Sequence, residues 1–224
     1  MDGNGRWAEQ RGLPRTKGHL EGLKAAKRVV ARLAELPVEY VTLYTFSTEN
    51  WKRPAKEVSF LMGLVSKHLL REMPFYQEHD IRVRHIGCDD HLPPAVLDHI
   101  YQTEEKTRHH QGLQVILAVN YGGRDEIIRG IHRLLKQCRE SSVPEAFSCE
   151  DFSHFLDTSD IPDPELILRS AGEKRLSNFY IWQSAYAEYC FHDAFWPDWD
   201  EQIIDRCISE YQKRRRKFGG IIRE

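Results

Sequence analysis

Leu113-Gln114-Val115-Ile116-Leu117-Ala118-Val119 runs straight into Asn120-Tyr121-Gly122-Gly123, and Ile127, Ile128, Ile131, Leu134 and Leu135 follow at helical spacing. A short apolar run closed by turn residues reads as a strand, and the spaced apolar row beyond it as an amphipathic helix. Working outward, the same alternation repeats. Upstream, Leu23, Ala26, Val30 and Leu33 recur among Lys24, Lys27, Arg28 and Arg32 as a helix. Val38 to Phe46 is β-branched and aromatic and stops at the polar Ser47-Thr48-Glu49-Asn50, the mark of a buried strand feeding a loop. Val58, Leu61, Met62, Val65 and Leu69 trace another helix, Ile81 to Ile86 a short strand, and Pro93-Pro94 opens the next helix. Downstream, Gln137 to Ser148, with Ser141-Ser142-Val143-Pro144, reads as a connecting loop, Leu166 to Leu168 as a strand ending at Arg169, and Ile203, Ile204, Cys207, Ile208 and Tyr211 as a last helix.

Strand and helix in alternation predict an α/β fold, with a mainly parallel central sheet carrying helices on both faces. At 224 residues a single domain over 1–224 is the expectation. Ligands in such folds sit beyond the carboxyl ends of the strands. The polar clusters after Phe46, after Val119 and at Arg169 are therefore expected to share one rim.

Composition narrows the classes. Hydrophobic residues at 41% and charged residues at 29% suit a globular protein, and no apolar run reaches bilayer-spanning length. A net charge of −2 gives no footprint for nucleic acid, so any basic site must be local. The five cysteines are scattered, odd in number and free of C-x-x-C pairs, which argues against a disulfide framework or zinc site and fits a reducing cytoplasm.

Several short stretches carry the parts of an anion site. Asp2-Gly3-Asn4-Gly5-Arg6 combines a carboxylate, two small residues that free backbone N–H groups, and a guanidinium: a phosphate cradle with a metal anchor, or a plain Gly/Asn turn. It lacks the third glycine of a dinucleotide fingerprint and the Gly-Lys-Ser/Thr of a P-loop. Arg15, Lys17 and His19 stand just ahead of a helix, where an anion is favoured, although charged helix starts are common. Ser47, Thr48, Glu49, Asn50, Trp51 and Arg53 are dense for a mere connector. Arg169-Ser170-Ala171-Gly172-Glu173-Lys174-Arg175-Leu176-Ser177-Asn178 is the third kit, and three kits suggest two diphosphates. The aromatic stretch from Phe179 to Trp199 reads as core or subunit interface. His109-His110 and Lys213 to Lys217 read as solvated surface.

Taken together, D-G-N-G-R-W at 2–7, R-x-x-G-H at 15–19, F-S-T-E-N-W-x-R at 46–53, N-Y-G-G-R at 120–124, R-x-x-G-E-x-R-x-S-N-F at 169–179 and W-P-D at 196–198 resemble the cis-prenyltransferase family, specifically bacterial undecaprenyl diphosphate synthases. The match spans nearly the whole chain, and the DD-x-x-D boxes of all-helical trans-prenyltransferases are absent. The resemblance implies a Mg²⁺-dependent, homodimeric enzyme. It would condense isopentenyl diphosphate successively onto an allylic diphosphate such as farnesyl diphosphate, with cis geometry, giving a long polyprenyl diphosphate that serves as lipid carrier for cell-wall glycans. It would work in the cytoplasm, touching the membrane surface to release product.

By the same resemblance Asp2 holds Mg²⁺ with help from Glu188, and Gly3, Asn4, Gly5, Arg6, Arg15 and His19 grip the allylic diphosphate beside Trp7. Arg169, Arg175, Leu176 and Ser177 would bind isopentenyl diphosphate, while Ser47, Thr48, Glu49, Trp51 and Arg53 complete the site around Asn50. The family assigns Asn50's counterpart the proton; an amide is so weak a base that we expect Asn50 to orient a diphosphate oxygen that takes it. A polyprenyl tail needs an apolar tunnel, for which the Val58/Leu61/Met62/Val65 row and the Val38 to Phe46 strand are the candidate wall, with ordinary core packing as the alternative. The rival to catalysis is a family-like subunit that only supports a partner, and such a chain should lack the carboxylate and guanidiniums found here.

Two departures stand out. The C-terminal Arg-x-Gly of many members is Lys217-Phe218-Gly219 here, which loses a bidentate fork. An apolar strand precedes the Asp-Gly-Asn-Gly loop in the family, whereas Met1 stands in its place, so the natural polypeptide is expected to begin upstream.

Overall fold

The strand from Gln114 to Tyr121 is buried at Val115, Ile116, Ala118, Val119, Asn120 and Tyr121, as a strand flanked by neighbours and covered on both faces must be. A computed structural model describes residues 1–140 and 146–215. In chain order its elements are α1 (Asn4–Glu9), α2 (Arg15–Ala34), β1 (Tyr40–Ser47), a 3₁₀ turn (Thr48–Lys52), α3 (Ala55–Arg71), α4 (Met73–Glu78), β2 (Arg82–Ile86), α5 (Pro94–Thr107), β3 (Gln114–Tyr121), α6 (Gly123–Glu140), α7 (Cys149–Ser153), β4 (Leu166–Arg169), β5 (Glu188–Phe191), a second 3₁₀ turn (Trp196–Asp198) and α8 (Glu201–Gln212). Every element expected from the sequence is present, within a few residues at each end. The expected loop at Ser141 to Pro144 and the Lys217-Phe218-Gly219 signature lie outside the described residues.

The α/β expectation holds, and among the described residues all strand pairing is parallel. The strands form two sheets, β1-β3-β2 and β4-β5, where the sequence suggests one. The described residues divide into two compact units, one within 1–32, 163–175 and 183–215 and the other within 33–140, 146–162 and 176–182.

In the second unit, β3 lies between β1 and β2. The β1 register slips at Tyr44/Phe46 and again at Phe46/Ser47, and the Thr45 hydroxyl donates to the Ala118 carbonyl at 2.8 Å beside the first slip. Such irregularities re-aim a strand's last residues, here Phe46 and Ser47, into the following turn. Helix α5 buries Val96, Ile100, Thr103 and Thr107, one face at helical spacing. Its two threonines are satisfied by donating to His99 and Thr103 carbonyls, at 2.7 and 2.8 Å. In the α3 row Val58, Leu61, Met62 and Leu69 are buried and Val65 is half-buried.

Helix α2 buries Val30 and Leu33 of the row that hydropathy picks out, leaves Leu23 and Ala26 half-buried, and also buries Gly18, Gly22, Ala25 and Val29 on an adjoining face. The reason is close approach of α1. A Cβ on Gly18 would stand 1.9 Å from the Asn4 carbonyl oxygen, and one on Gly22 would stand 2.0 Å from Asn4 Oδ1. The glycine pair is thus a slot for α1. Trp196 and Trp199 are buried, and the Trp196 indole donates to the Gly22 carbonyl at 2.7 Å, so this end of the aromatic stretch is core.

Candidate active site

In the first unit the Asp2 backbone is pinned before its side chain matters. Its N–H donates to the buried Ser170 hydroxyl at 2.7 Å, and its carbonyl accepts from Trp196 N–H at 2.9 Å. Gly3 follows at φ 94°, and a Cβ there would stand 2.5 Å from the Phe195 ring, so only glycine fits. The Asp2 carboxylate then faces Arg169 at 3.1 Å, Arg6 at 3.5 Å and Arg175 at 4.0 Å, and takes the Gly3 N–H at 2.7 Å. Partial burial pushes this carboxyl up, but the Arg169 hydrogen bond and the Gly3 N–H outweigh it and hold it below its ordinary range. Glu173 pairs with Arg6 at 2.9 Å and also with Arg175. Arg6 lies over the Phe195 ring, 5.4 Å from its centroid.

The other first-unit residues divide. Gly5 makes room for Arg15, whose guanidinium would be 2.5 Å from a Cβ at that position; Arg15 pairs with Glu9 at 2.7 Å. His19 is half-buried one turn along α2. Asn4 packs against Gly22, and Trp7 donates its indole N–H to Asp198 at 2.6 Å with Arg11 over its ring, so both have structural employment. Glu188 is not brought to Asp2. It pairs with Arg214 at 2.9 Å, and in the β4-β5 register it lies opposite Leu166, three residues before Arg169.

A Mg²⁺ ion fits Asp2. Among the described residues no group of three or more His, Cys, Asp or Glu could hold a metal. One ionised carboxylate can suffice for Mg²⁺ when substrate phosphates and water complete its shell, the guanidiniums then turning to those phosphates.

In the second unit, Ser47 N–H donates to Asn50 Oδ1 at 3.1 Å, and the Ser47 side chain accepts from the Asn50 backbone in a capping box. A backbone N–H demands an acceptor, so the Asn50 carbonyl oxygen is committed inward and its NH₂ is the end offered outward. Glu49 takes the Asn178 amide N–H at 2.8 Å and Thr48 lies 3.3 Å from its other oxygen. Partial burial raises the Glu49 carboxyl, but its backbone N–H, Asn178 and the two hydroxyls bring it below the usual range. The Trp51 indole donates to Asn120 at 2.7 Å, and the Asn120 amide donates to the Cys88 and Asp90 carbonyls at 2.7 and 2.8 Å. One left-handed asparagine thereby ties the carboxyl ends of β1, β2 and β3 into a rim. Arg53 pairs with Glu57 at 3.0 Å, Ser177 is exposed at φ 51°, and Leu176 is half-buried.

Sequence reasoning kept Ser170, Glu173, Asn120 and Asn178 inside its polar stretches but gave them no individual role. The available signal was the asparagines themselves: Asn tolerates the left-handed region, and both stand in it, at φ 52° and 63°.

Comparison with known proteins places the chain. Residues 1–219 match the Prenyltransf family model, described as "Putative undecaprenyl diphosphate synthase". An isoprenyl transferase of Treponema pallidum is 50% identical over 222 residues, covering 99% of this chain and 96% of that protein. The farnesyl-diphosphate-specific ditrans,polycis-undecaprenyl-diphosphate synthase of Micrococcus luteus is 45% identical, covering 99% of this chain and 89% of its own. The crystal structure of lavandulyl diphosphate synthase from Lavandula x intermedia with dimethylallyl diphosphate superposes with a TM-score of 0.93 at 31% identity, over 98% of this chain and 95% of that one. A probable undecaprenyl diphosphate synthase from Campylobacter jejuni gives 0.78 at 35% identity, over 89% and 92%.

Proposed function

Because the chain belongs to the cis-prenyltransferase family, we propose that it condenses isopentenyl diphosphate repeatedly onto farnesyl diphosphate or a similar allylic diphosphate to make undecaprenyl diphosphate. The observation that carries this reading is the Asp2 carboxylate set among Arg6, Arg169 and Arg175. Three cations about one ionised carboxylate make a place where a diphosphate and its Mg²⁺ can be held together. The metal would polarise the leaving diphosphate, Arg6 would take up the negative charge that develops on it, and Arg169 and Arg175 would hold isopentenyl diphosphate alongside.

The allylic C1–O bond breaks, C4 of isopentenyl diphosphate bonds to C1, and a proton leaves C2 to set the new double bond. Asn50, with its oxygen bound to Ser47 N–H, serves as donor to a diphosphate oxygen, and that oxygen receives the proton. The growing tail would run along the α3 row.

The supporting-subunit alternative is disfavoured by the same constellation, since Asp2, Arg6, Arg15, Asn50, Arg169 and Arg175 are all present. The test is incubation of purified protein with farnesyl diphosphate, labelled isopentenyl diphosphate and Mg²⁺. Long polyprenyl product, abolished by chelation, supports the reading, and folded protein making none overturns it.

A homodimer belongs to the same proposal. Ile128, Ile131 and Leu135 stand 53%, 37% and 50% exposed along one side of α6, an apolar row that a second copy would cover. Ile128→Asp should yield monomers by light scattering if it does. Working in the cytoplasm with brief membrane contact is part of the reading; no helix among the described residues is long and apolar enough to cross a bilayer.

A further inference from the structure

Asn178 sits where, among the described residues, left-handed non-glycine backbone is densest. Ser177, Asn178 and Tyr180 have φ of 51°, 63° and 45°, a region L-residues avoid unless their surroundings leave no other choice. The constraints can be named. Arg124 N–H donates to Asn178 Oδ1 at 2.9 Å, which forces the amide NH₂ to face Glu49, at 2.8 Å. The Asn178 carbonyl takes Gly123 N–H at 2.7 Å, so one residue fixes both the start of α6 and the Glu49 turn. Gly122 threads between them: a Cβ there would stand 2.6 Å from Thr48 Oγ1 and 2.8 Å from Asn178 Nδ2. Beyond the clamp, Phe179 stacks on Tyr44 at 4.7 Å and on Tyr180 at 4.4 Å, and the Tyr180 hydroxyl bonds to Thr42 at 2.7 Å.

We propose that Asn178 is a positioning residue for isopentenyl diphosphate: it holds Ser177 in its left-handed pose and ties that pose to Glu49 in the turn carrying Asn50. This rests on the functional reading above, which gives Ser177 and that turn to the substrate. Removing the clamp lets Ser177 relax toward ordinary backbone and lets Glu49 turn away. The isopentenyl site should suffer while the allylic site is spared.

The test uses the full chain and four variants, with KM for each substrate, kcat and melting temperature. Asn178→Ala should raise KM for isopentenyl diphosphate by about tenfold, with KM for the allylic substrate changed less than about twofold. Asn178→Gly accepts the positive φ without strain, so it should fold well and still show the KM defect. Asn178→Asp keeps an acceptor for Arg124 N–H but sets a second carboxylate against Glu49. Adding Glu49→Gln to it restores a donor–acceptor pair with direction reversed, and should recover much of the lost affinity. Unchanged KM in Asn178→Gly with only a lower melting temperature would reduce Asn178 to a structural part, as would the absence of rescue in the double variant. A folded wild type without turnover would refute the functional reading itself, and this proposal with it.

Discussion

The two charge clusters of this protein use the same side chains to opposite ends. In the second unit, Asp157 is 7% exposed and takes two bonds from Arg129 at 2.6 Å each, one from Arg133 at 2.7 Å and one from Gly87 N–H at 3.1 Å. Its own N–H donates to Glu126, whose other oxygen takes the Tyr121 hydroxyl at 2.6 Å. Asp157, Arg129, Glu126 and Tyr121 all find partners inside the protein, and only Arg133, 45% exposed, reaches solvent. In the first unit, Asp2 is 34% exposed and its cations are drawn between it and Glu173, three guanidiniums against two carboxylates. A saturated, buried network specifies structure; an open one with positive charge to spare is ready for an anion. Burial and completeness, and not residue type, separate the scaffold from the site.

The widest break between the two should come from Asp2→Ala. Metal polarisation is worth several kcal/mol, so turnover should fall roughly a thousandfold or more. Stability should fall by only about 1–3 kcal/mol, because the carboxylate is partly solvated although Arg169, with its side chain 14% exposed, loses a partner. Product assays beside thermal melts decide it, and near-normal rates at saturating Mg²⁺ would remove Asp2 from the mechanism.

Asp157→Ala should do the reverse. It strands Arg129, whose side chain is only 18% exposed, and a broken buried pair costs about 3–5 kcal/mol. The urea midpoint should drop accordingly at unchanged m-value. A loss under about 1 kcal/mol would mean that water replaces the carboxylate and that the network is less closed than its geometry.

Arg175→Ala is gentler and tests how the open cluster is shared out. Losing one charged hydrogen bond, roughly 1.5–3 kcal/mol, should raise KM for isopentenyl diphosphate more than about tenfold and leave the allylic substrate nearly unaffected. An equal loss for both substrates would show that Arg175 serves a common diphosphate site.

How much of this was legible follows from what each part depends on. Strand β3 and helix α6 declare themselves because burial is written as hydropathy. On α2 the row was legible at Val30 and Leu33 but not at Gly18 and Gly22, which make its tightest contact and whose value is the absence of a side chain. The short α1 was read as a loop, since six residues are too few for a periodicity. Strand β5 was hidden in an aromatic stretch whose Tyr189, Cys190 and Phe191 suit core and strand alike. The charged members of the site were visible, being charges at turns. The roles of Asn120 and Asn178 were not, because these lie in a left-handed backbone and in bonds to residues far along the chain. Glu188 shows the converse: the resemblance hands it to the metal, while its place in β5 hands it to Arg214.

The finest distinction between the clusters is titration. Burial pushes the Asp157 carboxyl up, but its bonds to Arg129, then the charges of Arg129 and Arg133, overcome this and hold it below its ordinary value. A depressed carboxylate contributes stability that is complete above its unfolded pKa, about 3.9, and is lost as pH falls through the lower folded value. The stability gap between wild type and Asp157→Asn should therefore stay constant from about pH 6 to about pH 4.5 and narrow only in more acid solution. The effect should be smaller than that of deleting the side chain, because a protonated Asp157 still accepts hydrogen bonds from Arg129 and Gly87. Added salt should leave the gap almost untouched, since buried pairs are poorly screened. A gap that closes near neutral pH, or that shrinks in salt, would place Asp157 in solvent-exposed company and erase the contrast with Asp2.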